Sequence, residues 1–209
     1  LYEMRLVGCQ RLSLGVESGS PEILKAIDKK ITAEEIMTSA ELAKKYGIRV
    51  RFYMMLGNRG ETAETFQQTL DFLERSRPHQ YIFSCLSIYP GTIDFRDAEK
   101  AGWLDREVYF REAFQELKIP YDASEDTTAL MNAWFQENKG VRDFHREGVE
   151  ECRAILERLG DLHTAHLDLA GACRAQSQRN DRPILRPPSP MRLISVAVAL
   201  ALLPPMSGA

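Results

Sequence analysis

The feature of this sequence best suited to chemistry is a carboxylate at the end of an alternating segment. Glu17 closes the run Arg11–Glu17, and the turn Ser18-Gly19-Ser20 follows it before Pro21, a residue typical of a first helical position. Carboxylate oxygens accept hydrogen bonds, so a strand-end glutamate is well placed to hold a pair of ribose hydroxyls. The pattern therefore predicts a ligand-binding turn after the first strand.

Two later segments end in loops of the same kind. One runs into Gly57-Asn-Arg-Gly-Glu-Thr62 and the other into Tyr89-Pro-Gly-Thr92. Functional groups of parallel βα structures collect at the carboxyl ends of the strands, where successive loops converge. Gly57 and Gly60 would let the backbone approach a flat ring or a phosphate closely. The three loops together predict one wall of a barrel with a ligand at its mouth.

The elements that position these loops alternate along residues 1–118. Apolar periodicity and capping residues predict three strands, each followed by helix, and this order implies parallel pairing. The predicted strands are Arg11–Glu17, Ile48–Leu56 and Gln80–Ile88. The predicted helices are Pro21–Asp28, 32–46, Thr62–Arg75, 92–101 and 106–118.

One face of the predicted strands is apolar and the other mixes polar and small residues. Ser13, Gly15 and Glu17 share the polar face of the first strand, and Arg51 and Tyr53 share that of the second. Parallel strands covered on both faces normally read as apolar throughout. We therefore expect the polar face to line a ligand-filled interior, and we place Cys85 of the third strand on it too.

Composition limits the classes of function. The net charge of -3 gives no electrostatic footprint for nucleic acid. The four cysteines, at positions 9, 85, 152 and 173, contain no CxxC pair, so the chain offers no self-contained zinc or iron–sulfur site. Reduced, dispersed thiols of this kind are typical of a cytoplasmic protein. The histidines show no sequence pairing with acids that indicates catalysis, and Lys29-Lys30 resembles a solvated helix end.

Both ends of the sequence carry expectations of their own. Leu1 is not an initiator and residues 1–8 resemble the end of a helix, so we expect an N-terminally incomplete chain. Residues 179–209 form an Arg/Pro-rich linker and a short apolar tail, shorter than the roughly 20 residues that span a bilayer. A misjoined reading frame and a tail that packs on a partner both explain it, and we assign it no function.

Taken in order, these motifs resemble the radical SAM enzymes, and most of all the branch that often carries an upstream cobalamin-binding domain. The similarity covers residues 1–95 and corresponds to the second half of that family's (β/α)6 core. The residues that carry it are Gly15-Val-Glu-Ser-Gly-Ser20, Ile23–Lys30, Thr32, Gly47-Ile48, Gly57-x-x-Gly-Glu-Thr62 and Tyr89-Pro-Gly-Thr92.

The resemblance implies roles for individual residues. Glu17 matches the family's ribose-binding carboxylate and Ser18 its polar neighbour near the cofactor. Gly57, Gly60 and Glu61 match the loop whose backbone packs against adenine. From the polar face we add Arg51, which could meet a carboxylate of cofactor or substrate bidentately. Glu61 could equally cap the next helix, and the roles of Tyr53 and Tyr89, ligand contact or packing, stay open.

The family implies S-adenosylmethionine and a [4Fe–4S] cluster as cofactors, a 5′-deoxyadenosyl radical as the reactive product, and cobalamin if an upstream domain is present. The sequence departs from the family's pattern in two ways. Asn58-Arg59 stands where a hydrophobic residue and proline usually precede Gly-Glu-Thr, and this should add polar contacts. The three-cysteine motif for the cluster is absent, so we expect its ligands outside this chain and no metal ligands within it.

The expected organisation is a half (β/α)6 core at 1–118, a helical, tetratricopeptide-like segment at 119–178 and the tail at 179–209. Helices are predicted at Thr127–Asn138, Val141–Leu159 and Thr164–Gln176. Three functions remain open: part of a radical SAM enzyme that is inactive in isolation, a helical protein-interaction module on a vestigial barrel fragment, and an inactive truncated product. The expected partners are a small-molecule cofactor, an unknown substrate and a protein bound by the helices.

Overall fold

The computed structural model describes residues 1–102, 104–107 and 125–180, and within them one sheet has the strand order β1-β2-β3-β4. The first three strands are parallel, and the fourth pairs antiparallel with the third. The predicted α/β class with parallel strands is confirmed. The strands are β1 (Arg11–Glu17), β2 (Arg49–Leu56), β3 (Gln80–Cys85) and β4 (Arg142–Asp143).

The helices fall close to their predicted positions. Those of the α/β part are α1 (Tyr2–Leu6), α2 (Pro21–Ala26), α3 (Ala33–Lys45), α4 (Ala63–Ser76) and α5 (Ile93–Lys100). Those of the later part are α6 (Glu125–Asn138), α7 (Val149–Leu159) and α8 (His163–Asn180). Most of the predicted helix 106–118 and nearly all of the predicted tail lie outside the described residues.

Capping side chains begin the helices α3 and α4. The Thr32 hydroxyl accepts from the backbone N–H of Glu35 while the Glu35 carboxylate accepts from that of Thr32, at 3.2 and 2.8 Å. Thr62 and Thr65 make the same reciprocal pair at the start of α4. Each pair satisfies two backbone donors that the first turn leaves unbonded, which fixes where the helix starts.

The hydrophobic core lies between one face of the sheet and the helices α3, α4 and α6. Phe52 of β2 stacks on Phe72 of α4, with ring centroids 5.8 Å apart. Trp134 of α6 meets Phe66 and Phe83 edge to face, at 5.4 and 4.7 Å. Burying these rings and the aliphatic side chains around them supplies most of the stabilisation of this face of the sheet.

The opposite side of the sheet, here called the open face, carries Ser13, Gly15, Arg51, Tyr53, Met55, Ile82 and Ser84. Ser13, Gly15, Tyr53 and Ser84 are exposed, and the others are half-buried. The register places Cys85 beside Leu56, on the core side. Our placement of Cys85 on the polar face is therefore wrong, because Ser84 takes that direction in β3.

The later helices pack against the α/β part. Ile155 of α7 is buried against Gly47, and Arg5 of α1 is ion-paired with Asp168 of α8 at 2.7 Å. Helix α7 begins at Val149 instead of Val141, because residues 142–143 form the short strand β4 along the edge of β3. The division at residue 118 stays a prediction.

Candidate functional site

Glu17 ends β1 in an unusual backbone conformation. Its φ is 68°, in the left-handed region that non-glycine residues rarely adopt, and the register with β2 shifts between Gly15 and Glu17. This bulge turns the carboxylate back over the open face. A Cβ on Gly15 would lie 2.9 Å from Oε1 of Glu17, so the missing side chain of Gly15 makes the room that the carboxylate occupies.

The Glu17 carboxylate is held by a lysine whose role the sequence analysis missed. Nζ of Lys29 lies 3.1 Å from Oε1, and the two side chains are 30% and 22% exposed. Among the described residues, Lys29 is the donor to this carboxylate, through Oε1. Oε2 is thus left to accept from a ligand. The left-handed backbone of Asp28, with φ of 56°, precedes Lys29 in the turn that brings it back to the strand end, and no local sequence pattern signals this contact.

Ser18 lies inside the protein instead of on the open face. It is fully buried, and its hydroxyl bonds Thr69 of α4 at 2.9 Å and accepts from the backbone N–H of Ser20 at 3.1 Å. Gly19 N–H also donates to Thr69. These bonds fasten the β1–α2 turn to α4. The Ser18 side chain positions the turn in this structure, and its predicted contact with a cofactor stays a prediction.

The loop after β2 is built around Glu61. Its Oε2 accepts from the backbone N–H groups of Gly57 and Asn58, at 2.6 and 3.0 Å, and the side chain is 1% exposed. Burial raises the pKa of Glu61, while the two backbone hydrogen bonds and Asn58 act in the opposite direction. Its Oε1 is buried without a hydrogen-bond partner among the described residues. Gly60, with φ of 75°, supplies the left-handed residue that closes the loop.

Arg51 lies on the open face nearer the amino-terminal ends of the strands. Its Nε and Nη2 donate to the Gln80 side-chain oxygen at 3.1 and 2.6 Å. Hydrogen bonds from Arg51 and Ser13 lower the pKa of Tyr53, whose side chain is exposed beside them. The register pairs Arg51 with Ser13, whereas Glu17 pairs with Met54. The structure therefore places Arg51 on the same face as Glu17 but away from the strand ends.

The departure from the family's pattern at Asn58-Arg59 has a clear structural outcome. Arg59 pairs with Asp94 and Asp97 of α5, at 2.7 and 3.3 Å, so the polar contacts expected of Asn58-Arg59 are present. The Thr92 hydroxyl accepts from the Phe95 N–H and begins α5. The ion pairs of Arg59 therefore connect the loop after β2 to α5, the helix that follows the loop after β3. Glu17 and the Gly57–Glu61 loop lie at the carboxyl ends of β1 and β2, which are neighbouring parallel strands.

Cysteines are not gathered at this edge. Cys9, Cys85, Cys152 and Cys173 form no disulfide and lie in different parts of the structure, and burial raises the pKa of Cys152 to about 11. In the residues that the structure describes, no three His, Cys, Asp or Glu side chains lie close enough to hold a metal ion. The described part of the chain does not fit a cluster, whereas Glu17 over Gly15 fits a hydroxylated ligand.

No helix in the described part of the chain is long and apolar enough to cross a bilayer.

Histidine pairing was underestimated from the sequence. His79 is 3% exposed and its Nε2 lies 2.5 Å from Oε1 of Glu147. His166 similarly approaches Asp161 at 2.7 Å, on the exposed surface. His79 and Glu147 are far apart in sequence, so no local motif signals the pair. It lies at the amino-terminal end of β3, the opposite end of the sheet from Glu17.

Comparison with known proteins finds matches over the first part of the chain. Residues 1–73 match the Radical SAM superfamily. An uncharacterized methyltransferase of Pyrococcus horikoshii is 33% identical over 89 residues, which is 43% of this chain and 19% of that protein. Bacteriochlorophyllide d C-12(1)-methyltransferase of Chlorobaculum tepidum is 32% identical over 93 residues, 43% of this chain and 20% of that protein.

A third relative is the tRNA-2-methylthio-N(6)-dimethylallyladenosine synthase of Syntrophotalea carbinolica, 30% identical over 112 residues, 50% of this chain and 26% of that protein. Among solved structures, coproporphyrinogen III oxidase of Escherichia coli, a radical SAM enzyme, aligns with a TM-score of 0.46 and 16% identity over 74% of this chain and 33% of its own. The chain spans between 19% and 26% of the length of these three curated relatives.

Proposed function

We propose that this chain, whose residues 1–73 match the Radical SAM superfamily, forms the ribose-binding half of an S-adenosylmethionine pocket. In this proposal β1–β3 are half of a (β/α)6 barrel and the open face is its interior. The Gly57–Glu61 loop packs its backbone against adenine. The whole protein acts as a radical SAM enzyme, and this chain alone is inactive.

The observation that carries the proposal is the placement of the Glu17 carboxylate. It projects over Gly15 on the open face, at the carboxyl edge of the strands, with Lys29 bonded to one oxygen. A carboxylate fixed in this way needs no reorganisation to accept hydrogen bonds from two vicinal hydroxyls. Lys29 holds its charge and orientation, and the strained backbone of Glu17 is typical of residues retained for a ligand.

The cofactor chemistry is supplied from outside the described residues. S-adenosylmethionine, when bound and reductively cleaved at a [4Fe–4S] cluster, supplies a 5′-deoxyadenosyl radical. This chain's own residues bind and orient: Glu17 holds the ribose, Gly57 and Gly60 allow close approach to the ring, and Arg51 offers a guanidinium to a carboxylate. Ser18 and Glu61 hold the two loops in shape. The expected cobalamin domain stays a prediction.

Binding of S-adenosylmethionine to this chain tests the proposal directly. We expect saturable shifts of the Gly15, Glu17 and Gly57 amide resonances in an NMR titration, with a dissociation constant on the order of 1 mM for half a pocket. Glu17→Gln should raise that constant at least about tenfold, because a neutral amide replaces the charged acceptor.

The matched control is Glu22→Gln, which removes one negative charge from the exposed start of α2. It should bind as the unaltered chain does, and thermal melting should show both variants folded. If Glu17→Gln binds like the unaltered chain, or if no saturable shifts occur up to about 10 mM, the proposed pocket is wrong.

The alternative of a helical interaction module has less support. Trp134 of α6 and Ile155 of α7 are 3% and 7% exposed, and they pack on the α/β part. Helix α6 therefore already uses its apolar face to cover the sheet, and α7 uses its own against α8 and the turn before β2. The tetratricopeptide-like character of α8 and a protein partner for the helices stay predictions.

A further inference from the structure

A second cleft lies at the amino-terminal ends of the strands, opposite the Glu17 edge. It has a volume of about 550 Å³, within the usual range for small-molecule pockets. The first residues of β1, β2 and β3 form one wall, and α7 and α8 form the other. The side chains that matter for its charge are Arg11, Arg49, Asp143, Arg146, Glu147 and Asp168.

Arg11 and Arg49 are partners in the register of two adjacent parallel strands. Both are exposed, and within the described residues no carboxylate lies within 4.0 Å of either guanidinium. Like charges on neighbouring strands repel, and this repulsion is relieved when an anion lies between them. Two adjacent arginines that form no ion pair with the described residues are thus a feature that a ligand would stabilise, while the charges of Asp143 and Glu147 act on Arg49 from farther away.

The acids of the cleft are already bonded within the protein. Asp143 accepts from Gln80 and Arg146, at 2.8 Å each. Glu147 is bonded by His79, and Asp168 by Arg5 at 2.7 Å. Arg11 and Arg49 are therefore the cleft's charged groups that remain available to a ligand.

Helix α8 leaves space in front of these arginines. It lines the cleft with Gly171, Ala172 and Ala175, and a Cβ built on Gly171 would meet no atom within 4 Å. A wall of small residues accommodates the body of a ligand while the arginines hold its charged group. Arginine is suited to this role because its fork of N–H donors matches the oxygens of phosphate in a bidentate geometry.

We propose that this cleft binds a small phosphate-bearing molecule through Arg11 and Arg49. Two guanidinium charges match a phosphate monoester, which is close to a dianion near neutral pH. The site is separate from the proposed S-adenosylmethionine pocket, since it lies at the other end of the strands and shares no residue with it.

The test is an NMR titration of the whole chain, following the Nε–Hε signals of its arginines. The two probes are inorganic phosphate and glycerol 3-phosphate, each measured against chloride at equal ionic strength. We expect saturable shifts at Arg11 and Arg49 with a dissociation constant on the order of 1 mM, tighter for the ester if the α8 wall takes the organic part. Arg11→Gln and Arg49→Gln should each weaken binding at least about tenfold.

The matched control is Arg75→Gln, which removes an exposed arginine from the last turn of α4. It should bind phosphate as the unaltered chain does. In phosphate-free buffer, Arg11→Gln should melt no lower than the unaltered chain, because it removes a repulsion, and this separates loss of binding from loss of folding. Equal weakening by Arg75→Gln, or no saturation by either probe up to about 50 mM, would overturn the proposal.

Discussion

His79 and Glu147 form a buried hydrogen bond that joins the amino-terminal end of β3 to the segment preceding α7. Nδ1 of His79 accepts from the Val50 N–H at 2.9 Å, so the ring proton lies on Nε2 and is donated to Glu147 at 2.5 Å. Burial acts to raise the pKa of Glu147, but the hydrogen bond from His79, together with the charge of Arg49, outweighs it and holds that pKa at about 2.

This depressed pKa predicts a specific dependence of stability on pH. Because the folded state holds the carboxylate ionised, Glu147 contributes stability that is complete above its ordinary pKa of 4.5 and is lost as pH falls toward about 2. Glu147→Gln should lower the free energy of unfolding at pH 6 by about 1–3 kcal/mol and much less at pH 3. Urea unfolding at the two pH values measures the difference.

Glu150→Gln is the matched control for this experiment. Glu150 is exposed on the first turn of α7 and its side chain is 86% accessible. It should change the unfolding free energy little at either pH. An equal loss for Glu147→Gln at pH 6 and pH 3 would show that its ionised form is not what stabilises the fold.

Because Glu17 has a left-handed backbone, we expect a substitution at this position to affect stability and ligand binding differently. Glu17→Gly removes a left-handed strain of about 1–2 kcal/mol. It also loses the half-buried Lys29 pair, worth roughly 0–1 kcal/mol. We expect the variant to be at least as stable as the unaltered chain in thermal melting, and to lose S-adenosylmethionine binding.

Asp28→Gly provides the comparison, since Asp28 has a φ of 56° and an exposed side chain paired only with Lys30 in the described structure. It should gain stability in the same way and bind the cofactor normally. If Glu17→Gly melts well below the unaltered chain, the left-handed conformation costs less than we infer.

Gly19 is predicted to be intolerant of any side chain. A Cβ there would lie 2.4 Å from Cβ of Phe72, an atom fixed to the backbone of α4 and unable to move aside. Gly19→Ala should therefore lower stability by about 1–3 kcal/mol, as overpacking of a core does. Gly171→Ala in α8, where a Cβ meets nothing within 4 Å, should leave the melting temperature unchanged or raise it slightly.

Arg59 is predicted to hold α5 in place. Arg59→Ala removes its ion pairs with Asp94 and Asp97, which are partly exposed and together worth about 0.5–1 kcal/mol. Amide hydrogen exchange over Ile93–Lys100 should accelerate about two- to fivefold. Arg96→Ala, on the exposed side of the same helix, should not accelerate it. Unchanged exchange in the Arg59 variant would assign the position of α5 to its apolar contacts alone.

Local patterns predicted most of the fold. The bounds of β1 were predicted without error, and the Thr32 capping box fixed the start of α3, because alternation and capping act over a few residues. Strand β4 was missed, since two residues carry no periodicity. The predicted third strand extended to Ile88, whereas β3 ends at Cys85.

The position of Glu17 at the end of β1 was predicted, but its contacts were not. The strand-end placement of Glu17 follows from alternation and the Gly/Ser turn. Its bond to Lys29, and that of Ser18 to Thr69, depend on how separate elements meet in space. The bulge that turns Glu17 is likewise a product of pairing with β2. Such tertiary contacts leave no local signal in one sequence.

The spatial order of the strands has a consequence for how the chain is made. Each strand after β1 pairs with the strand synthesised just before it. The sheet can therefore grow at one edge as the polypeptide leaves the ribosome. The contact between His79 and Glu147 spans 68 positions and cannot form until the segment before α7 has emerged. We therefore expect co-translational folding to add one βα unit at a time, to form the His79–Glu147 contact afterwards, and to form the Arg5–Asp168 contact later still.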